Sequence, residues 1–437
     1  MQPSVHARVV ASGGAAVVAA LVILLATRHG VGINTDSVWY HEMAAGVRQT
    51  AHFPPGYPWM LRVLSDRAIA VGSFALLIGF AAYAFGWLAA LLLLTTPAIV
   101  LVNSWAWSEP PFLVALLVFV WAVADTRFAA ASLCTVAMIL LRHVGIAAIP
   151  VLAFEVWRAK GWRGWVYLLP PVCALLSLRS ARVYAWHPPS VADWRELAIT
   201  AKRTFVPLSG VAGWAMLAML AVANVFKRVT LRIRADAFTR VALLCAASYT
   251  CTVILARTVA DGGIPFDQRI FAPVVMVALV MLSRSVTVAG LTGRVAATVW
   301  IATRALVTLA FVASVTRTGQ GYGSVEWRES AMVAYVRALP ADTPLYATDA
   351  AGLRYAAGRA ATDIPYISDP GTRAPVDRDS IVTAFVARAH AEHAAVIFPH
   401  RVVPALPFFM PEAAFARACG CAPDTTFPEA AVFDFAR

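Results

Sequence analysis

Four short polar clusters stand out from an otherwise apolar chain. The first runs from Asn34 to Glu42 and holds Asp36, Tyr40 and Glu42 among Ser37, Trp39 and His41; it continues through His52-Phe53-Pro54-Pro55-Gly56-Tyr57-Pro58. A carboxylate among aromatics, as at Asp36, suits a general base in a partly dry site. The same position suits a helix N-cap ahead of a short helix from Ser37 to Val47, and the two readings are compatible. The second cluster runs from Asn103 to Phe112 around Glu109. Glu109 could orient an acceptor or a metal. It also fits a helix-start glutamate at the positive end of the helix dipole, with Pro110 in the first turn. The third is Arg142-His143-Val144-Gly145 and the fourth runs from Asp267 through Arg269 to Pro273. The arginine fork suits phosphate. Arginines at the ends of apolar segments also snorkel to an interface.

The elements that must position these groups are apolar. Of 437 residues, 60% are hydrophobic and 14% charged, with six cysteines and a net charge of +12, and the mean hydropathy is +0.70. A soluble protein is about 45–50% apolar and about 25% charged, so lipid is the expected solvent. Runs near span length occur at 9–27, 68–85, 87–103, 111–125, 128–141, 144–157, 165–179, 208–225, 237–256, 269–283 and 296–315. They predict a polytopic α-helical membrane protein with about eleven transmembrane helices. The N-terminal run, preceded by His6 and Arg8, reads as an uncleaved first span.

Orientation follows from lysine and arginine. With a cytoplasmic N-terminus, the inside loops hold Arg127, Arg158, Lys160, Arg163, Lys227, Arg228, Arg232, Arg234, Arg284 and Arg294, as the positive-inside rule requires. Arg182, Arg195, Lys202 and Arg203 run against it in one outside loop. The basic excess is thereby assigned to topology and membrane lipids, and nucleic acid is excluded as a partner. All four polar clusters then lie on the outside face. Two carboxylates and several cations on one surface suit an anionic head group beside a base.

From about residue 316 charge rises and the apolar runs shorten. The chain divides into a membrane domain, 1–315, and a small extracytoplasmic α/β domain, 316–437. Expected there are an amphipathic helix at Trp327–Leu339, strands at Pro344–Ala347, Ala361–Pro365, Ala394–Phe398 and Ala431–Phe435, and helices at Gly352–Gly358 and Asp379–His393. Cys134, Cys173, Cys245 and Cys251 sit in apolar runs and read as small core residues. Cys419 and Cys421 are separated by one residue, a spacing that strains a mutual disulfide, so no bridge is expected.

In order and sidedness the clusters resemble the membrane glycosyltransferases of the C superfamily, in the branch of protein O-mannosyltransferases and the bacterial lipid A aminoarabinose transferase. The matching features are Asp36 with Tyr40, Pro54 to Pro58, Ser108-Glu109-Pro110, Arg142 to Gly145, Arg269 to Pro273, and tail segments Glu326 to Ser330 and Tyr355 to Arg359. The resemblance implies inverting transfer from a polyprenyl-phosphate sugar donor to a glycan, lipid or protein acceptor, at the outer face of a bacterial inner membrane. It makes Asp36 the base, with Glu109 shaping the acceptor site. Arg142, His143, Arg269 and His52 become phosphate contacts, and Tyr40, Tyr57 and Glu42 line the pocket. No fixed cofactor is implied, and a divalent metal is left open. The chain departs from the pattern in having Ser37 where many relatives have a second acid, and His52-Phe53 where some have a lysine. The competing readings are a lipid or glycan transporter or flippase, and a non-catalytic assembly subunit.

Overall fold

A computed structural model describes residues 4–48, 53–178, 191–205, 236–260, 264–288, 290–368, 377–400 and 409–435. The expected span at 208–225, the basic residues Arg182, Lys227, Arg228, Arg232 and Arg234, and His52 lie outside the described residues.

Helix α1 (Val5–Ala26) packs along α4 (Asp66–Phe85), after the short helices α2 (Thr35–Ala44) and α3 (Gly56–Leu61). The Ser65 side chain caps α4 by accepting from the Ala68 amide, and Gly86, at φ 93°, ends it. Its 20 residues, at about 1.5 Å each, give roughly 30 Å, the thickness of a hydrocarbon core. Then follow α5 (Trp87–Leu94), α6 (Pro97–Asn103), α7 (Glu109–Ala124), α8 (Phe128–Leu141), a 3-10 turn at His143–Ala147, α9 (Ala148–Lys160), a second 3-10 segment at Gly161–Leu168, α10 (Leu169–Ser177) and α11 (Val191–Phe205). After the undescribed stretch come α12 (Ala237–Leu255), α13 (Gln268–Val288) and α14 (Gly290–Thr318).

Among the described residues, four helices are long and apolar enough to cross a bilayer: Val5–Ala26, Asp66–Phe85, Ala237–Val259 and Ala297–Thr318. Glu109–Ala124 and Phe128–Leu141 are apolar but shorter. The expected single span over 87–103 is instead α5 and α6. The Thr95 and Thr96 hydroxyls donate back to Leu91 and Leu92 carbonyls at 2.7 and 2.6 Å, and Pro97 opens the next helix, because a proline disfavours helical geometry in the residue before it. The runs at 144–157 and 165–179 likewise each begin in 3-10 geometry.

The tail forms a five-stranded mixed sheet of order β2-β1-β3-β5-β4, from β1 (Leu345–Ala347), β2 (Thr362–Asp363), β3 (Ala395–Pro399), β4 (Thr425–Phe427) and β5 (Ala430–Asp434). β1 runs parallel to β2 and β3, and β5 antiparallel to β3 and β4. Its helices are α15 (Val325–Arg328), α16 (Ala331–Ala338), α17 (Ala350–Ala357), α18 (Arg378–Ala391) and α19 (Glu412–Cys419). The single helix expected over Trp327–Leu339 is two, because the Ser330 side chain caps a fresh start at the Val333 amide. Arg359 donates to the Leu339 and Pro340 carbonyls, both at 2.8 Å, and closes the end of α16. Cys419 and Cys421 are joined in a disulfide with Cα atoms 5.2 Å apart, against the sequence expectation. Gly420 between them is left-handed at φ 65° and turns the chain back on itself.

Three distant segments meet in a small parallel arrangement. Gly32 bridges Trp105, and Ile33 bridges Gly321. The Gly32 amide donates to the Ser104 carbonyl, the Ala106 amide to Gly32, and the Tyr322 amide to Ile33, each at 2.9 Å. Gly321 has φ 58°, and a Cβ there would lie 2.0 Å from the Ile33 carbonyl oxygen. Gly321→Ala should therefore lower stability by at least about 1–2 kcal/mol from the left-handed backbone alone. Thermal unfolding in detergent micelles checks this.

The Tyr322 hydroxyl donates to Asp349 Oδ1 at 2.5 Å, and the Gly352 amide donates to the same oxygen. Burial pushes the Asp349 carboxyl up to about 6, against the Tyr322 and Gly352 hydrogen bonds, which lower it. Between about pH 4 and pH 6 the folded chain holds this proton more tightly than the unfolded one. Stability should fall across that window as pH rises, by up to about 3 kcal/mol. Asp349→Asn should flatten the fall, read as melting temperature against pH.

Candidate active site

Helix α2 is the first element of the site. Asn34 caps it, accepting from the Ser37 amide at 3.1 Å while Ser37 Oγ accepts from the Asn34 amide at 3.2 Å. Trp107 Nε1 donates to the same Asn34 oxygen at 3.0 Å. The cap is thus Asn34, and the N-cap reading of Asp36 is corrected. Asp36 lies inside the first turn, with its carboxylate free of capping and available to the site.

Glu109 and Pro110 open α7, as the helix-start reading expects. The Glu109 side chain is fully buried. Arg142 and Arg269 both pair with its Oε1, while Oε2 is buried with no hydrogen-bond partner among the described residues. Arg269 Nη1 also reaches Asp36 Oδ2 at 2.7 Å, and its guanidinium lies 4.3 Å over the Trp107 ring. Asp36 keeps 29% of its side chain exposed, against 16% for Arg269 and 15% for Arg142. Two carboxylates and two guanidiniums therefore balance, with one carboxylate sealed and the other open.

Local structure fixes both arginines. Arg142 ends α8 in extended geometry, and the chain then turns at once, with the Gly145 amide donating to the Arg142 carbonyl at 2.8 Å. A Cβ on Gly145 would lie 2.3 Å from the Met138 carbonyl carbon, so this tight return needs glycine. Arg269 sits in the first turn of α13. Asp267 Oδ1 accepts from the Ile270 amide at 2.9 Å, and Tyr249 of α12 donates to the Ile270 carbonyl at 2.8 Å.

Tyr40 is buried, with its hydroxyl 3.1 Å from Ser108 Oγ and its ring 4.8 Å from Phe53 and 4.9 Å from Tyr57. Burial, helped by the Glu109 and Asp36 charges, pushes its phenol above the ordinary range, so it stays a neutral donor. Tyr57 is also buried and donates to Asp66 at 3.3 Å. Asp66 Oδ2 lies 2.7 Å from His41 Nε2, and that hydrogen bond raises the His41 pKa.

The structure brings Asp36, Tyr40, Glu109, Arg142 and Arg269 together, with Tyr57 behind Tyr40. His143 opens the 3-10 turn and is half-buried. Glu42 faces elsewhere, pairing with Arg48 at 2.6 Å and with Arg354 of the tail at 2.9 Å. The sequence reading passed over Trp107 and Tyr249, which their aromatic and apolar surroundings disguise as core. It also passed over Arg304, a buried cation within α14 over the Trp300 ring at 5.4 Å. Among the described residues no three His, Cys, Asp or Glu side chains converge as a metal site would need.

No family model matches the sequence, and no curated protein matches it. Among solved structures the chain is similar to ArnT from Cupriavidus metallidurans bound to undecaprenyl phosphate. That likeness has 17% identity and a TM-score of 0.52, covering 95% of this chain and 96% of that one. The apo state of the same protein aligns at 16% identity and a TM-score of 0.44, over the same shares. The chain thus has the ArnT fold over nearly its whole length, as the resemblance to C-superfamily glycosyltransferases implied.

Removing one member of a buried ion pair costs about 3–5 kcal/mol, because its partner keeps an uncompensated charge. Glu109→Gln leaves both arginines facing a neutral amide. Its unfolding free energy in micelles should drop by that order, whereas Asp36→Asn, at the open end of the cluster, should cost less.

Proposed function

We propose that the chain is a membrane glycosyltransferase that moves a sugar from a polyprenyl-phosphate donor to an acceptor hydroxyl, with inversion. The observation that carries this reading is the charge cluster at one end of an ArnT-like helical bundle. In it, two largely buried arginines are held by a sealed Glu109 beside an open Asp36.

The roles follow from exposure. Glu109 is the fixed counter-charge that keeps Arg142 and Arg269 in place without substrate. Arg142 and Arg269 receive the donor phosphate. Asp36, the exposed carboxylate, takes the proton from the acceptor hydroxyl. The acceptor oxygen attacks the anomeric carbon on the face opposite the phosphate. The bond from that carbon to the phosphate oxygen breaks, and the electron pair leaves with the phosphate, through an oxocarbenium-like state. The leaving phosphate gains a negative charge as Asp36 loses one to the incoming proton. Arg269, relieved of Asp36, is then free to answer the new charge on the phosphate. Tyr40, kept neutral, donates near the same place, and Tyr57 backs its ring. His143 and His52 are further candidates for the phosphate.

The division at about residue 316, an extracytoplasmic tail and a cytoplasmic N-terminus complete the reading. The loop charges support that orientation. The Cys419–Cys421 disulfide supports it independently, since such bonds persist in oxidising compartments.

Transfer from radiolabelled polyprenyl-phosphate sugars, in membranes carrying matched amounts of wild-type or Asp36→Asn protein, tests the reading. Loss of a positioned base should lower the rate about 10²–10⁴-fold. No transfer by the wild type from several donors, with suitable acceptor extracts, would sink it in favour of a flippase or an assembly subunit.

A further inference from the structure

Helix α2 carries Asp36 and buries Val38 and Tyr40 in the core. Its polar side chains leave on three sides. Asp36 and Tyr40, four residues apart, face the charge cluster. His41 faces Asp66 on α4. Thr35 and Glu42 are seven residues apart, two turns on one face, and both meet the tail. Thr35 Oγ1 lies 2.9 Å from the Tyr322 hydroxyl, and Glu42 Oε1 accepts from Arg354 Nε at 2.9 Å.

Both tail groups are themselves held. Tyr322 donates to the buried Asp349 at 2.5 Å, and its ring stands edge-on to the fully buried Trp327 at 5.1 Å. Arg354, on α17, also donates to the Ala361 carbonyl at 2.9 Å. Asp349 caps α17 at the Gly352 amide, so one short helix and its cap supply both grips.

We infer that Tyr322 and Arg354 are positioning residues, which fix the rotation of α2 and so hold the Asp36 carboxylate against Arg269. A helical side chain ends about 5 Å from its axis. A turn of about 20° therefore carries the Asp36 carboxylate by about 2 Å, enough to break a 2.7 Å contact. An error of about 1 Å in such a group can cost about 10²-fold in rate. This rests on Asp36 being the base, as proposed above.

The test uses full-length protein in nanodiscs with the Thr35→Val and Arg354→Met variants, alone and together, and Thr35→Ser as the variant that keeps the hydroxyl. Two readouts are taken. Hydrogen exchange of the α2 amides reports the grip without reference to activity. Initial rates of sugar transfer, split into kcat and KM, report its consequence. The double variant should exchange α2 amides at least about tenfold faster and lose about 10–100-fold in kcat. KM for the donor should stay within about threefold of wild type, since neither residue is among those assigned to the substrate. Thr35→Ser should behave as wild type. Unchanged exchange in the double variant overturns the proposal, and so does faster exchange with an unchanged kcat. A matching rise in KM would instead make these residues substrate contacts, and overturn it too. A wild type that transfers no sugar is a different failure. It removes the reaction that Asp36 is positioned for, whatever the exchange shows.

Discussion

A guanidinium held between two carboxylates is the interaction on which the site depends. Arg269 is mostly buried, and a buried cation is tolerable only when paired. Glu109 meets that need from the start of α7 and Asp36 from α2, while Arg142 from the end of α8 balances the second carboxylate. Each of the four sits at a helix end or in a first turn. Changing the length or register of any of these helices by one residue would turn a charge into lipid or away from its partners.

The apolar bundle does not by itself bring those ends together. The loops are joined by backbone hydrogen bonds, through Gly32, Trp105 and Gly321, and by polar groups such as Asn34, which caps α2 and accepts from Trp107 with one oxygen. Backbone pairing of this kind is rigid and indifferent to side-chain type. That explains how a charged, polar end can be built from loops over a bundle whose interior is mostly aliphatic.

Much of this was legible in the sequence because lipid imposes a coarse rule. Apolar runs of span length marked α1, α4, α7, α8 and α12 to within about four residues, while α13 and α14 run five or six residues beyond the expected ends. Where the rule failed, the cause was local. Thr95-Thr96-Pro97 breaks an apolar run that hydropathy sees as continuous. Ser330 restarts a helix that periodicity sees as one. Helix α19 and strand β4 are short, in a stretch with weak patterning, and were not foreseen. In the site, Asp36, Glu109, Arg142 and Arg269 were legible because a charge beside an apolar run is conspicuous. That Asn34 is the cap, and that Glu42 turns to the tail, depends on helix rotation, which a lone sequence leaves open.

The pairing of Ile33 with Gly321 joins the first loop of the chain to a segment made almost three hundred residues later. During synthesis the early helices enter the membrane long before that partner exists. Until it arrives, α2 is a ten-residue helix, too short to be stable alone. Asp36 cannot be held in register during that interval. A chain truncated before Gly321 would thus leave α2 without its partner, and a late segment of the chain sets in place a group laid down near its start.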